Sequence, residues 1–296
     1  MGAEDQILEG QYVAVHGGNI WYKVIGAEKQ GVPLIVIHGG PGASHDYLLP
    51  LEKLADSRPV VFYDQLGCGF SERPDDPALW EAGRFVRELR QLIVHLGFRE
   101  FVLLGQSWGT TIAAMFAFRK QLPGLKAMVL SAPMLQAQWW IDDQRKLLEM
   151  MPPQLVQEVE RAEKHGDFET QAYQDAMTAF YRNHLCRLET WPDCLQSTFA
   201  KMNNKLYNHM WGPSEFTVRG TLFSLDLSLK VEAIEVPVLY TCGEFDEATP
   251  QTCRYYQLHT PGAALKVFKG ASHMHHLESP EEYINTVNEF MVKCLK

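Results

Sequence analysis

Long apolar runs are missing from this 296-residue chain: no uninterrupted stretch approaches the ~18–20 residues that a membrane-spanning helix requires. Clustered positive charge is missing too. Twenty-seven Lys and Arg face thirty-six Asp and Glu, a formal net charge of −9, and no basic run offsets it, which argues against nucleic acid as a partner. The six cysteines (Cys68, Cys186, Cys194, Cys242, Cys253, Cys294) show no C-x-x-C spacing. In a chain this long they read as reduced thiols rather than a disulfide framework. The opening MGAEDQILEGQY carries acids and no apolar core, so no secretory signal is expected and the reading is cytoplasmic. Internal repeats, low-complexity tracts, a Gly-Lys-Ser/Thr phosphate loop and a G-x-G-x-x-G dinucleotide loop are all absent from the sequence. With 46% hydrophobic and 21% charged residues, the chain has the material for one large α/β domain, or for such a core with an insertion.

The pattern of elements supports the second option. Gln11 to Ile25 alternate around His16-Gly17-Gly18-Asn19, a hairpin signature. Pro33 to Ile37, Pro59 to Tyr63, Phe101 to Leu104, Leu125 to Leu130, Val236 to Thr241 and Ala264 to Phe268 are short continuous apolar runs. Such runs suit strands buried on both faces, as in a parallel sheet. Helical patterns separate them, notably Gly83 to Leu96, and a helix with Pro280 in its first turn closes the chain. From about Gln136 to Leu222 strand-like runs vanish, and aromatic, Met and charged residues recur at helical spacing between the breakers Pro152-Pro153, Trp191-Pro192 and Gly212-Pro213. The expectation is a mostly parallel, doubly wound α/β sheet: a core in two parts, residues 1–135 and 223–296, with a helical cap at 136–222.

One motif carries chemistry. Gly105-Gln106-Ser107-Trp108-Gly109 sits between a buried strand and a helical pattern, the context of a G-x-S-x-G nucleophile elbow. An ordinary glycine-rich turn is the alternative. A nucleophilic serine needs a base, and the base an orienting acid, in the chain order Ser, Asp, His, each just past a strand. Asp246 follows the Val236–Thr241 run, and His273 follows the Ala264–Phe268 run. His275 and His276 compete as the base, and His273, His275 and His276 together could be read as a metal site, although no clear fourth ligand accompanies them. Asp246 could instead be a loop residue or helix cap. Ile37-His38-Gly39-Gly40-Pro41-Gly42 follows another buried strand, where loop amides can face the serine; the Gly40 and Trp108 N–H groups are the expected oxyanion hole.

HGGPGASHDYL (His38 to Leu48), VVFYDQLGCGFSERP (Val60 to Pro74), LLGQSWGT (Leu103 to Thr110), WGPSEF (Trp211 to Phe216) and GEFDEATP (Gly243 to Pro250) together make the chain resemble the proline iminopeptidase (prolyl aminopeptidase) family of α/β-hydrolases, including tricorn-interacting aminopeptidases and related L-amino-acid amidases. The resemblance covers almost the whole chain. It implies the α/β-hydrolase fold and a serine aminopeptidase or amidase that needs no cofactor and no metal. The substrate would be a small peptide or amino-acid amide, proline or another small or apolar residue being released from a free α-amine. It also implies that Glu215 and Glu247 bind the substrate ammonium; a solvated cap residue is the plainer reading of Glu215.

The sequence departs from the family pattern at two positions. Gln106 stands before the serine where small residues or His are common, and Thr110 replaces a frequent Gly or Ser. Trp108, Trp139, Trp140 and Tyr207 are candidate walls of the acyl pocket, with the core of the cap as their alternative place. Three other functions fit the same residues: a hydrolase of amino-acid amides or of a peptide-derived natural product, an esterase or lactonase indifferent to the amine, and a non-catalytic binding protein on a hydrolase scaffold. An epoxide hydrolase or dehalogenase would carry Asp in place of Ser107.

Overall fold

The computed structural model describes residues 10–119 and 123–295; apart from Gly10–Tyr12, the acidic opening read above for a secretory signal lies outside them. Among the described residues eight strands form one sheet in the order β1-β2-β4-β3-β5-β6-β7-β8. They are β1 (Gln11–Val15), β2 (Gly18–Ile25), β3 (Leu34–Ile37), β4 (Val60–Tyr63), β5 (Phe101–Gln106), β6 (Leu125–Ser131), β7 (Val238–Gly243) and β8 (Ala264–Phe268). The β1–β2 hairpin is antiparallel and β2 runs antiparallel to β4; from β4 to β8 every pairing is parallel.

Parallel strands need crossover connections, and these cover both faces of the sheet. Successive residues of each strand therefore enter different cores. Ile35, Ile37 and Leu103 pack with Phe85, Leu89 and Ile112, whereas Leu34, Val36, Val102 and Leu104 pack with Leu51, Val287 and Met291. This two-sided burial is why the strands read as unbroken apolar runs. Phe85 and Leu89 belong to α1 (Ala82–Leu96), which ends at Gly97 in the left-handed conformation (φ 69°), and Ile112 to α2 (Trp108–Phe118).

Five helices follow β6 before the chain returns to β7: α3 (Ala137–Glu149), α4 (Pro153–His165), α5 (Gln171–His184), α6 (Asp193–Ala200) and α7 (Asn204–Met210). The breakers fall at their ends. Pro153 occupies the first turn of α4, Pro192 precedes α6, and Gly212-Pro213 follows α7. Leu148, Val159, Ala162, Tyr173, Met177, Phe180 and Phe216 close a small core separate from the two sheet cores. After β7 come α8 (Pro250–His259), the short α9 (His275–Glu278) and α10 (Pro280–Cys294). No helix among the described residues is long and apolar enough to cross a membrane.

Two boundaries differ from the sequence reading. β5 continues past Leu104 because Gly105 and Gln106 pair with Leu130 and Ser131, tertiary pairing overriding weak strand propensity. His45–Asp56 forms a 3-10 stretch; Tyr47, Leu48, Leu51, Leu54 and Ala55 recur at helical spacing, but Pro50 interrupts the pattern.

Candidate active site

The elbow begins with a backbone problem. Ser107 has φ 53° and ψ −123°, a conformation that costs a non-glycine residue roughly 1–3 kcal/mol and persists only where its surroundings hold it. Here β5 leads in, α2 leads out, and the Ser107 N–H donates to the Ser131 carbonyl at 2.9 Å. The flanking glycines are sterically required. A Cβ on Gly105 would lie 2.4 Å from the Gly109 carbonyl oxygen, and one on Gly109 would lie 2.1 Å from that of Ile37.

Asp246 and His273 arrive from the ends of β7 and β8. The His273 Nδ1–Asp246 Oδ1 distance is 2.7 Å. Asp246 also accepts the backbone N–H of Gly243 (2.9 Å) and Ala248 (2.8 Å), so its carboxylate is fixed by its own loop. Burial works to raise its pKa, but His273 and His275 outweigh it and hold the carboxyl well below the usual range. At His273 burial works the other way, and the carboxylates of Asp246, Glu247 and Glu215 prevail, raising it to about 9. The Ser107 hydroxyl makes no hydrogen bond to His273 among the described residues, although both line one cavity; in enzymes such bonds commonly tighten only as substrate seats.

The competing histidines lie elsewhere. His275 is fully buried, its Nε2 close to Ser131 Oγ (3.0 Å) and Thr241 Oγ1 (2.9 Å), and its Nδ1 is 3.5 Å from Asp246 Oδ2. His276 Nε2 is 3.1 Å from the Tyr47 carbonyl, and burial pulls this imidazole down to about 3, so it stays neutral. No group of three His, Cys, Asp or Glu side chains suited to a metal ion occurs among the described residues.

The cavity has a volume of about 550 Å3 and brings together Gly40, Ser107, His273, Glu215 and Glu247 under residues of α5, α6 and α7. Neither the Gly40 nor the Trp108 backbone N–H is engaged by an acceptor among the described residues. Glu215 is half-buried and accepts from the Trp140 indole N–H (3.1 Å) and the Tyr207 hydroxyl. Glu247 is 2% exposed, and its Oε1 meets no hydrogen-bond partner among the described residues. Burial raises the pKa of both; for Glu247 the charge of Glu215 adds to it. Two desolvated carboxylates with one oxygen unpaired form a site that a cation would complete.

Of the aromatic candidates, Trp140 and Tyr207 line this cavity, and the Trp140 ring meets His273 edge-on at 5.8 Å. Trp108 is buried in the sheet core, its indole N–H donating to Gln65 Oε1 (3.0 Å). Trp139 packs at 4.6 Å on Tyr255 beside a separate surface groove. Sequence reasoning missed Tyr47, Tyr181 and Gln65. Tyr47 and Tyr181 line the cavity, whereas Gln65 stands behind the elbow. Tyr47 and Gln65 lie inside two of the segments that carry the family resemblance, but nothing local marked their side chains, and Tyr181 lies in no such segment; only Gln106, singled out as a departure, carried a signal.

The sequence model of the α/β-hydrolase fold family matches residues 32–280. A curated proline iminopeptidase of Heyndrickxia coagulans is 42% identical over 281 residues, 95% of this chain and 97% of that protein. Among solved structures, the proline iminopeptidase of Mycobacterium smegmatis superposes with a TM-score of 0.89 at 33% identity, covering 96% of this chain and 98% of that one. The crystal structure of VinJ superposes with a TM-score of 0.92, also at 33% identity, covering 97% and 99%.

Proposed function

The chain belongs to the proline iminopeptidase family of α/β-hydrolases, and from that premise we propose that it is a serine aminopeptidase. It releases an N-terminal proline, or another small or apolar residue, from a small peptide or amide that carries a free α-amine. Residues 136–222 act as its cap. Glu215 and Glu247 hold the substrate ammonium and so set the first carbonyl over Ser107. His273, oriented by Asp246, takes the Ser107 proton as Oγ attacks that carbonyl, and the Gly40 and Trp108 amides receive the developing oxyanion. Collapse of the tetrahedral intermediate breaks the C–N bond, and the proton on His273 passes to the leaving amine. Water, deprotonated by His273, then attacks the acyl-enzyme and frees the amino acid and the serine. Six free thiols fit a reducing compartment, and we place the reaction in the cytoplasm.

The single observation that carries this reading is the pair of desolvated carboxylates, half-buried Glu215 and buried Glu247, in the same cavity as Ser107 and His273. An esterase has no use for them. An acyl group on the substrate nitrogen would remove the cation and leave the pair desolvated and uncompensated. The test compares aminoacyl arylamides, proline included, with their N-acetylated partners, for the wild type, Ser107→Ala and Glu215→Gln. Turnover confined to free amines, abolished in the serine variant and reduced about 10–100-fold in the glutamine variant is expected, given ~1.5–3 kcal/mol for a charge-assisted hydrogen bond. Equal turnover of the blocked substrates would move the protein to the esterase class.

A further inference from the structure

We infer that Tyr47 and Gln106 are positioning residues for the oxyanion hole, a hydrogen-bonded strap that runs from the amide of Gly39 through the Tyr47 hydroxyl to the side chain of the residue before the nucleophile. The inference rests on the serine-hydrolase reading above. The Gly39 N–H donates to the Tyr47 hydroxyl at 2.7 Å, and that hydroxyl donates to Gln106 Oε1 at 2.5 Å. Tyr47 is 2% and Gln106 1% exposed, so water does not compete for either bond. Loop, phenol and elbow meet without slack: a Cβ on Gly39 would lie 2.9 Å from Gln106 Oε1, 3.0 Å from the Ser107 Cβ and 3.0 Å from the Tyr47 hydroxyl.

A second strap reaches the other side of the serine. His38 Nε2 accepts the Gln65 backbone N–H at 3.0 Å, which leaves the ring proton on Nδ1, 2.9 Å from the Gly39 carbonyl. That carbonyl and the Gly40 N–H belong to one planar peptide, so fixing the oxygen aims the amide. The Gln65 side chain closes the path, donating to the His38 carbonyl (2.8 Å) and accepting the Trp108 indole N–H (3.0 Å). The residues before and after Ser107 are thus each tied to the loop that bears Gly40. Of the two ties, the Tyr47–Gln106 strap borders the substrate cavity directly. An oxyanion hole works only if its donors are already aimed where charge develops, so loss of the strap lowers transition-state stabilisation while leaving ground-state binding intact.

The test measures the rate at which a fluorophosphonate labels Ser107, a reaction that draws on the oxyanion hole and not on the ammonium clamp, in the wild type, Tyr47→Phe, Gln106→Met, Gln106→Glu and the doubles with Tyr47→Phe. Tyr47→Phe and Gln106→Met are each expected to slow labelling about tenfold, part of the ~100–1000-fold that a lost oxyanion donor costs. Adding Tyr47→Phe to Gln106→Met should cost nothing more, because one strap is already cut. Adding it to Gln106→Glu, which keeps an acceptor for the phenol, should still slow the reaction. Inhibition by free proline should stay at its wild-type value. Unchanged labelling, multiplicative losses, or a matching loss of proline affinity would overturn the strap. A wild-type protein that does not label at Ser107 would overturn the serine reading itself.

Discussion

The sheet and the inserted helices are built differently. Every strand residue from β3 to β7, apart from the first two of β6, is buried, and the sheet separates two extensive cores. Of the helices between β6 and β7, α3, α4 and α5 share one small core, whereas α6 packs into one sheet core through Leu195 and α7 into the other through Leu206 and Met210. Ser107, Asp246 and His273 stand at the ends of β5, β7 and β8, whereas Glu215 hangs from the segment after α7. Groups proposed to make and break bonds are set on the rigid half. The carboxylate proposed to recognise the amine is set on the lighter half, with Glu247 facing it from the sheet side. Ser107 can hold a strained φ because the sheet over-determines it.

Damage to the sheet half should therefore strike turnover, and damage to the helices should strike recognition. The largest effect is expected for Asp246→Asn, a fall in kcat of about 10^4. The amide would carry the wrong protons for His273 and for the Gly243 and Ala248 amides, which both donate to the native carboxylate. Steady-state kinetics on a prolyl arylamide check this, and a fall of less than tenfold would remove Asp246 from its role.

Next comes Phe180→Ala in the small helical core. Phe180 is 0% exposed and its ring packs 4.7 Å from that of Phe216, the neighbour of Glu215. The cavity should cost about 3–5 kcal/mol in thermal or urea unfolding. KM for free-amine substrates should rise while fluorophosphonate labelling of the folded fraction stays near the wild-type rate. Equal loss of both would erase the division between the two regions.

The smallest effect is a shift of a pH profile. The proposed base His273 can act only when unprotonated, and Asp246, Glu247 and Glu215 hold it up near 9 against the downward pull of burial. The labelling rate of the wild type should therefore climb with pH through about 9. Glu215→Gln removes one of those charges, so the same limb should move to lower pH, making the variant the faster of the two near neutrality. A limb that does not move would separate the two carboxylates from the base.

The same division shows in what could be read in advance. The strands were legible as continuous apolar runs because both sheet faces are covered. The elbow was legible because Gly105 and Gly109 have no room for a Cβ, and the helix ends because Pro153, Pro192 and Pro280 cannot sit deep inside a helix. The 3-10 stretch of Tyr47 was not legible, since Pro50 in its interior breaks an otherwise helical spacing of apolar residues. Glu215 and Glu247 entered only through a resemblance to known proteins, because an acid in a polar segment carries no local sign of its surroundings.

By itself the sequence determined the order of the strands along the chain, the elbow, and that an Asp follows β7 and a cluster of three His follows β8. These depend on chain-local sterics and on side-chain periodicity. Only the tertiary structure decided which of three neighbouring histidines meets Asp246 at 2.7 Å, that Trp140 and not Trp139 faces the cavity, and that Tyr47 links Gly39 to Gln106, which lies 59 residues further along the chain than Tyr47. Those outcomes depend on burial, charge and hydrogen-bond geometry among residues that the chain brings together only when the sheet is closed on both faces.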